Sequence, residues 1–264
     1  MAQGAGPFHV YKPDPPLSEF VDFFWIYEEY APPHRAERLL PTGRSELVFS
    51  VDANGRAASG ASGARSEALM LDTSTPFSVV AVHFRPGGSF PFFGVPSTEL
   101  RNQGVPLDLL WGRDAANFSD RLWEEKAADK RFNLLEEMLL TRARGRFDRQ
   151  AAVRYALDVF ERSNGMQPVG DVIQRIGFSP RRFGELFRLE VGLSPKAFCR
   201  IRRFNEVLRR IEGFTDVDWA DVAVSCGYFD QAHFNHDFRA FAGLTPSAYL
   251  RDRMSRTHVV VSNV

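Results

Sequence analysis

The sequence predicts an α+β chain in two parts: a β-rich first part, read as a small barrel with helices appended, and an all-helical second part. Three observations carry this. Short apolar runs bounded by Gly, Pro and Asn fill the early chain. Apolar residues at i, i+3 and i+4 dominate from Asn117 onward. A segment near the end repeats an earlier one at almost constant spacing.

Phe23-Phe24-Trp25-Ile26-Tyr27 is the longest apolar cluster near the start, well short of the roughly 18 residues of a membrane span. The opening residues carry Pro7, Pro13, Pro15 and Pro16 without an apolar h-region, so no secretory signal is expected. Glu46 to Val51 reads as a strand ending in the hairpin signal Asn54-Gly55. Gly55 to Gly63 is small and reads as an exposed flexible loop. Ser78 to Phe84 reads as a buried strand closed by Pro86-Gly87-Gly88. Helices are expected over Asn117 to Lys126 and Phe132 to Arg142. In the latter, Phe132, Leu135, Met138 and Leu139 form a stripe with Leu134 beside it. That stripe must bury within the chain or pair two chains as a homodimer.

The second part begins with Gln150 to Ser163, whose Val153, Ala156, Leu157 and Phe160 share a face and which stops at Asn164-Gly165. Ala197 to Ile211 is a long helix with Phe198, Ile201, Phe204, Leu208 and Ile211 on one side. These patterns divide the chain into 1–147, 148–253 and a tail, 254–264.

With 44% hydrophobic and 25% charged residues over 264 positions, disordered and collagen-like chains are excluded. Two cysteines, Cys199 and Cys226, lack metal or disulfide spacing, and a reducing cytoplasm fits them. Both read as small core residues. Net charge is zero, but Arg175 to Arg203 holds eight basic and two acidic side chains. Such a local excess makes an anion-binding face or simply a solvated one.

The repeat is the strongest signal. At an offset of 51, Phe183 matches Phe234, Phe187 matches Phe238 and Arg188 matches Arg239. Gly192-Leu193 match Gly243-Leu244, Pro195 matches Pro246, and Phe198 matches Tyr249. Upstream the offset is 50, pairing Asp171-Val172 with Asp221-Val222 and Gly177 with Gly227, so one residue is inserted at the turn. Each copy has the makings of a helix-turn-helix. A short helix (Val169 to Ile176; Trp219 to Cys226) ends at a glycine able to turn left-handed. Ser179 or Asp230 then caps a second helix, anchored by phenylalanines at i, i+4. The other face of that helix is free to enter a major groove.

The second copy, Ala223-x3-Gly227-Tyr-x-Asp230-Gln-x-x-Phe234-x3-Phe238-Arg-x3-Gly243-x-Thr245-Pro-x-x-Tyr249, resembles the signature of the AraC family of bacterial transcription regulators. The resemblance covers about Gln150 to Arg251. It implies two helix-turn-helix units joined by a long helix and reading adjacent major grooves of double-stranded DNA, with RNA polymerase as a further partner and activation as the commoner outcome. The base-facing positions carried over are Gln231, Ala232, Asn235 and His236, with His233 beside them. In the first unit they are Arg181, Arg182, Gly184 and Glu185. Gln and Asn suit adenine, Arg181 suits guanine and Glu185 cytosine. Gly184 and Glu185 depart from the long polar or basic residues usual there, which leaves either the strength or the sequence of the first half-site contact open. Arg182 and Arg200 to Arg203 read as phosphate or solvent contacts.

The resemblance also implies a cupin-like barrel in the first part, as a sensing or pairing domain. Tyr11-Lys-Pro-x-Pro-Pro-Leu-x-x-Phe20-Val-x-x-Phe24-Trp25, Leu40-Pro-x-Gly43 and Phe84-Arg-Pro-Gly-Gly88 are similar to the sensor half of one regulator subgroup. His9, His34 and His83 are scattered, so no metal is expected, and no cofactor motif occurs. Candidate contacts for a small-molecule effector are Trp25, His34, Arg38, His83 and Phe93. Two rivals stay open: a cupin-type enzyme with a helical interaction module, and a regulator whose first domain binds a protein.

Overall fold

The computed structural model describes residues 8–32, 34–143 and 149–255. The expected boundary at 147/148 lies outside the described residues, as does 256–264, the bulk of the expected tail.

In the first part β1 (Phe8–Tyr11), β2 (Val21–Tyr30), β4 (Glu46–Asp52), β5 (Ala57–Ser62), β7 (Phe77–Phe84) and β8 (Gly104–Pro106) form one antiparallel sheet. Their order is β1-β2-β7-β4-β5-β8, while β3 (Ala36–Leu39) and β6 (Leu69–Asp72) pair separately. The expected barrel is therefore corrected: among the described residues the strands make two sheets that do not close. Strand β7 lies between β2 and β4, which explains its apolar character: Val79 to Phe84, with His83 as the one polar member, is buried on both faces.

The stretch Gly55 to Gly63 is also corrected, since β5 occupies most of it. Its Ala, Ser and Gly residues have weak strand propensity. Here two neighbours impose extension, because β5 pairs with β4 over Glu46↔Ser62 to Val51↔Ala57 and with β8 over Gly60↔Pro106. Small size is needed there, as a Cβ on Gly60 would lie 3.1 Å from the Val105 carbonyl oxygen.

Helices α1 (Phe90–Phe93), α2 (Asp108–Trp111), α3 (Arg113–Glu124) and α4 (Ala128–Ala143) cover one face of the large sheet. Phe24, Ile26, Phe49, Val80 and Val82 meet Trp111, Phe118, Phe132, Leu135 and Leu139 in that core. The stripe that suggested a homodimer is thus buried inside its own chain, with Leu135 and Leu139 fully enclosed and Met138 packed at the edge.

The second part is all helix: α5 (Ala151–Arg162), α6 (Val169–Ile176), α7 (Pro180–Val191), α8 (Pro195–Arg210), α9 (Trp219–Ser225), α10 (Gln231–Ala242) and α11 (Pro246–Ser255). The long helix α8 starts at Pro195 because Ser194 Oγ accepts the Ala197 N–H at 3.2 Å and Pro195 suits the first helical position. Phe183, Phe187, Phe198, Phe204, Phe234 and Phe238 fill one core.

The two parts are docked. Leu40 and Ala64 from the first join the helical core. Ser97 Oγ donates to the Glu190 carbonyl at 2.7 Å, at the end of α7. Arg149 donates to the Pro86 carbonyl at 2.7 Å. A Cβ on Gly192 would come within 2.8 Å of the Ser97 carbonyl oxygen, so this close approach requires glycine.

Candidate nucleic-acid interface

Each turn is built by local chemistry. After α6, Gly177 takes φ +76° and the Ser179 hydroxyl accepts the Arg182 N–H at 3.3 Å. After α9, Gly227 takes φ +76° and Asp230 Oδ1 accepts the His233 N–H at 2.7 Å. Side chains without a Cβ reach this left-handed backbone most cheaply. Phe183 and Phe187 then fasten α7, and Phe234 and Phe238 fasten α10; all four are fully buried. Both second helices consequently present one outward face.

Residues 172–252, which enclose both turns and both second helices, match the family described as a helix-turn-helix domain. The chain carries an AraC-type double helix-turn-helix domain. Residues 9–106 match a family described only as a domain of unknown function (DUF6597). The HTH-type transcriptional regulator Rv1931c of Mycobacterium tuberculosis is 30% identical over 88 residues, 33% of this chain and 34% of that protein. The chain thus spans about a third of the length of this curated relative. Among solved structures, the C-terminal domain of AraT, a response regulator from Geobacillus stearothermophilus, is 19% identical with a TM-score of 0.37, covering 44% of this chain and 93% of that one. ToxT from Vibrio cholerae is 10% identical with a TM-score of 0.42, covering 93% and 98%.

In the AraC-type domain Gln231, Ala232, Asn235 and His236 all stand exposed on α10. His233 is half-buried, with Nε2 3.7 Å from Asp237 Oδ2 and its ring against Tyr228. On α7, Arg181 is extended into solvent and pairs with Glu185 at 3.0 Å. Arg182 lays its guanidinium 4.7 Å from the Phe178 ring. Gly184 departs from its expected place: it is buried behind Arg188, so the outward face of α7 is Arg181, Arg182, Glu185 and Arg188.

The basic run is divided by the fold. Arg175, Arg181, Arg182, Arg188 and Lys196 remain exposed. Arg200 instead grips the buried Asp237, with Nε 3.1 Å from Oδ1 and Nη2 2.6 Å from it. Arg203 donates to the Gly165 carbonyl at 3.1 Å. Arg202 is largely enclosed, and burial holds its pKa below the ordinary value, with Glu161 and Glu206 pulling the other way. Arg200 and Arg203 thus brace the helical core rather than offering charge to a phosphate. The sequence missed this because Asp237 and Gly165 lie 37 and 38 positions from Arg200 and Arg203.

A second group was missed as well. Trp219, Arg239, Thr245, Pro246 and Ser247 join Gln231, Asn235 and His236 around an open cleft of about 410 Å³. The Thr245 hydroxyl caps α11, accepting the Ala248 N–H at 3.3 Å. A helix N-terminus beside an arginine favours an anion such as a phosphate. The repeat had already paired Arg239 with Arg188 and Pro246 with Pro195, a signal that marked these positions.

The effector candidates do not gather at one place. Trp25 and His83 share the sheet face opposite the α1–α4 core, as the pairs Trp25↔Ala81 and Phe23↔His83 show. His83 stacks on Phe23 at 4.8 Å and its Nδ1 lies 2.9 Å from Glu46 Oε1. Phe93 lies on the other side, edge-on to Phe84 at 5.5 Å. His34 pairs with Glu37, and Arg38 donates to the Ala242 carbonyl of α10 at 3.0 Å. Both cysteines are buried; burial pushes the Cys199 thiol up to about 12, which leaves it inert as a nucleophile. Among the described residues no group of three or more His, Cys, Asp or Glu is placed to hold a metal, and no helix is long and apolar enough to cross a membrane.

Proposed function

We propose that this protein is a sequence-specific regulator of transcription whose first domain governs how two helix-turn-helix units engage duplex DNA. The observation that carries the reading is the pair of outward faces on α7 and α10, each free at its N-terminal end and held at its C-terminal end. Ser97 holds the end of α7 and Arg38 holds the end of α10, so one domain touches both reading helices. Gln231 and Asn235 read bases, and Arg181 and Arg182 meet guanine or phosphate in the first half-site. Arg239 and the N-terminus of α11 seat a phosphate.

A small-molecule effector fits best against the sheet face of Trp25 and His83. What supports this is that Trp25 Nε1 and His83 Nε2 are both buried without a hydrogen-bond partner, and such groups favour a polar ligand. RNA polymerase is the further partner this reading implies, with activation as the outcome and the cytoplasm as the place. Pairing of two chains would need a surface other than the buried stripe of α4.

Selection of bound duplexes from a random pool by the full-length protein tests the proposal. A single preferred site, bound far tighter than random DNA and with affinity falling steeply with salt, is expected. Equal binding of selected and random duplexes at moderate salt would defeat it.

A further inference from the structure

The two helix-turn-helix units differ at the turn by one inserted residue, and the packing of the turn singles out Phe229 as the extra one. After Gly177 the chain runs Phe178 and then the cap Ser179; after Gly227 it runs Tyr228, Phe229 and then the cap Asp230. The residue before a cap commonly folds back as an apolar staple against the fourth helical position. Phe178 is partly buried against the core in the first unit. In the second unit Tyr228 takes this place from one residue further away, 5% exposed and 5.4 Å from the Phe234 ring. The staple position being filled, the inserted Phe229 is left 92% exposed, the most exposed large apolar side chain among the described residues.

Its position gives this exposure a direction. Only Asp230 separates Phe229 from Gln231, so their Cα atoms lie within about 7 Å. A recognition helix meets the bases with its N-terminal residues. The side chain just before that end therefore travels into the groove with Gln231. In a major groove the apolar partner for a phenylalanine is the 5-methyl group of thymine.

We propose that Phe229 is a specificity residue that reads a thymine in the second half-site by packing on its methyl group. The inference rests on the regulator reading above. It assigns the second unit an apolar base contact for which the first unit has no counterpart.

The test uses full-length protein and its preferred duplex, with each thymine replaced in turn by uracil, which removes only the methyl. At one position the wild type should lose about fourfold, the transfer of one methyl-sized group. Phe229→Ala should lose about tenfold on the thymine duplex and show no further loss on the uracil one. The exposed position keeps the fold out of the comparison. Wild-type affinity in Phe229→Ala, the same thymine-to-uracil ratio in both proteins, or a preferred second half-site without thymine overturns the inference alone. Failure to recover any preferred duplex overturns the regulator reading, and this inference with it.

Discussion

The Arg38 guanidinium donates to the Ala242 carbonyl at 3.0 Å, joining a strand of the first domain to the last turn of α10. The two residues are 204 positions apart. The last turn of a helix exposes unpaired carbonyls and a partial negative charge, so a cation is well placed there. A Cβ on the following Gly243 would lie 3.2 Å from the same guanidinium, so the arginine lies closely over that turn. The contact runs from the first domain to the end of α10 opposite Gln231 and Asn235.

Removing that hand-hold should loosen one end of α10. Arg38→Ala is expected to cost about 1 kcal/mol locally, the net worth of one such hydrogen bond. Amide exchange at Phe241 to Gly243 should then speed several-fold while the first turn of α10 is unchanged. Unaltered exchange at the C-terminal turn would show that the contact carries no strain between domains.

Base and phosphate contacts should separate in binding measurements. Gln231→Ala and Asn235→Ala should each lose about 1–3 kcal/mol on the preferred duplex and relax one or two base pairs. Arg239→Ala should weaken every duplex alike and reduce the salt slope by about one. Equal losses by all three on preferred and random DNA would contradict the division.

Arg200 and Asp237 bind one another at 2.6 Å, tying the long helix α8 to α10 of the second unit. Asp237→Asn should destabilise the chain by about 2 kcal/mol, below the value for a fully buried pair, because Arg200 is 29% exposed. Urea unfolding of the whole chain reads this directly. An unchanged midpoint would mean that Asp237 is tolerated rather than needed.

Phe238 touches Phe204, Trp219, Phe234 and Tyr249. Phe238→Ala should cost about 3–5 kcal/mol. A loss near 1 kcal/mol in the same unfolding measurement would show that the site collapses around the missing ring.

Glu190 links stability to pH at the domain junction. Burial pushes its carboxyl above the ordinary value of 4.5, against the opposing pull of the Gln150 N–H and Arg149. The folded chain therefore holds this proton where the unfolded chain has lost it. Its contribution to stability is complete below the unfolded value and is lost as pH rises through the folded one. Glu190→Gln keeps an acceptor for the Gln150 N–H, now 3.0 Å away, and should be more stable than wild type at neutral pH, the gain vanishing below about pH 4. A gain that persists at acid pH would assign the effect to packing instead.

The repeat, six of the seven helices of the second part and the four anchoring phenylalanines were legible from residue order, whereas α11 was not read. So were the strand Ser78 to Phe84 and the hairpin at Asn54-Gly55. Their signals are local: Ser179 reaches an N–H three residues on, and Phe234 and Phe238 stand one helical turn apart. Of the positions carried over from the resemblance, Gln231, Asn235, His236 and Arg181 are exposed, while Gly184 is buried. Helical periodicity separates the outward side from the inward one by only a fraction of a turn, and Gly184 falls next to buried Phe183.

What residue order by itself determined, then, is the architecture of the helix-turn-helix half: two capped turns, two anchored helices and the one-residue inequality between them. A cap or an i, i+4 pair forms within one turn of chain, so its energy is decided before any distant residue arrives. The tertiary structure alone decided the strand β5, the open sheets and the fate of the arginines. Extension of Ala57 to Ser62 depends on hydrogen bonds from β4 and β8, and Arg200 finds Asp237 across 37 positions. It also decided that Phe229, an ordinary core residue by type, would remain in solvent. Tyr228 reaches Phe234 first, and a close-packed core has no second place for a ring.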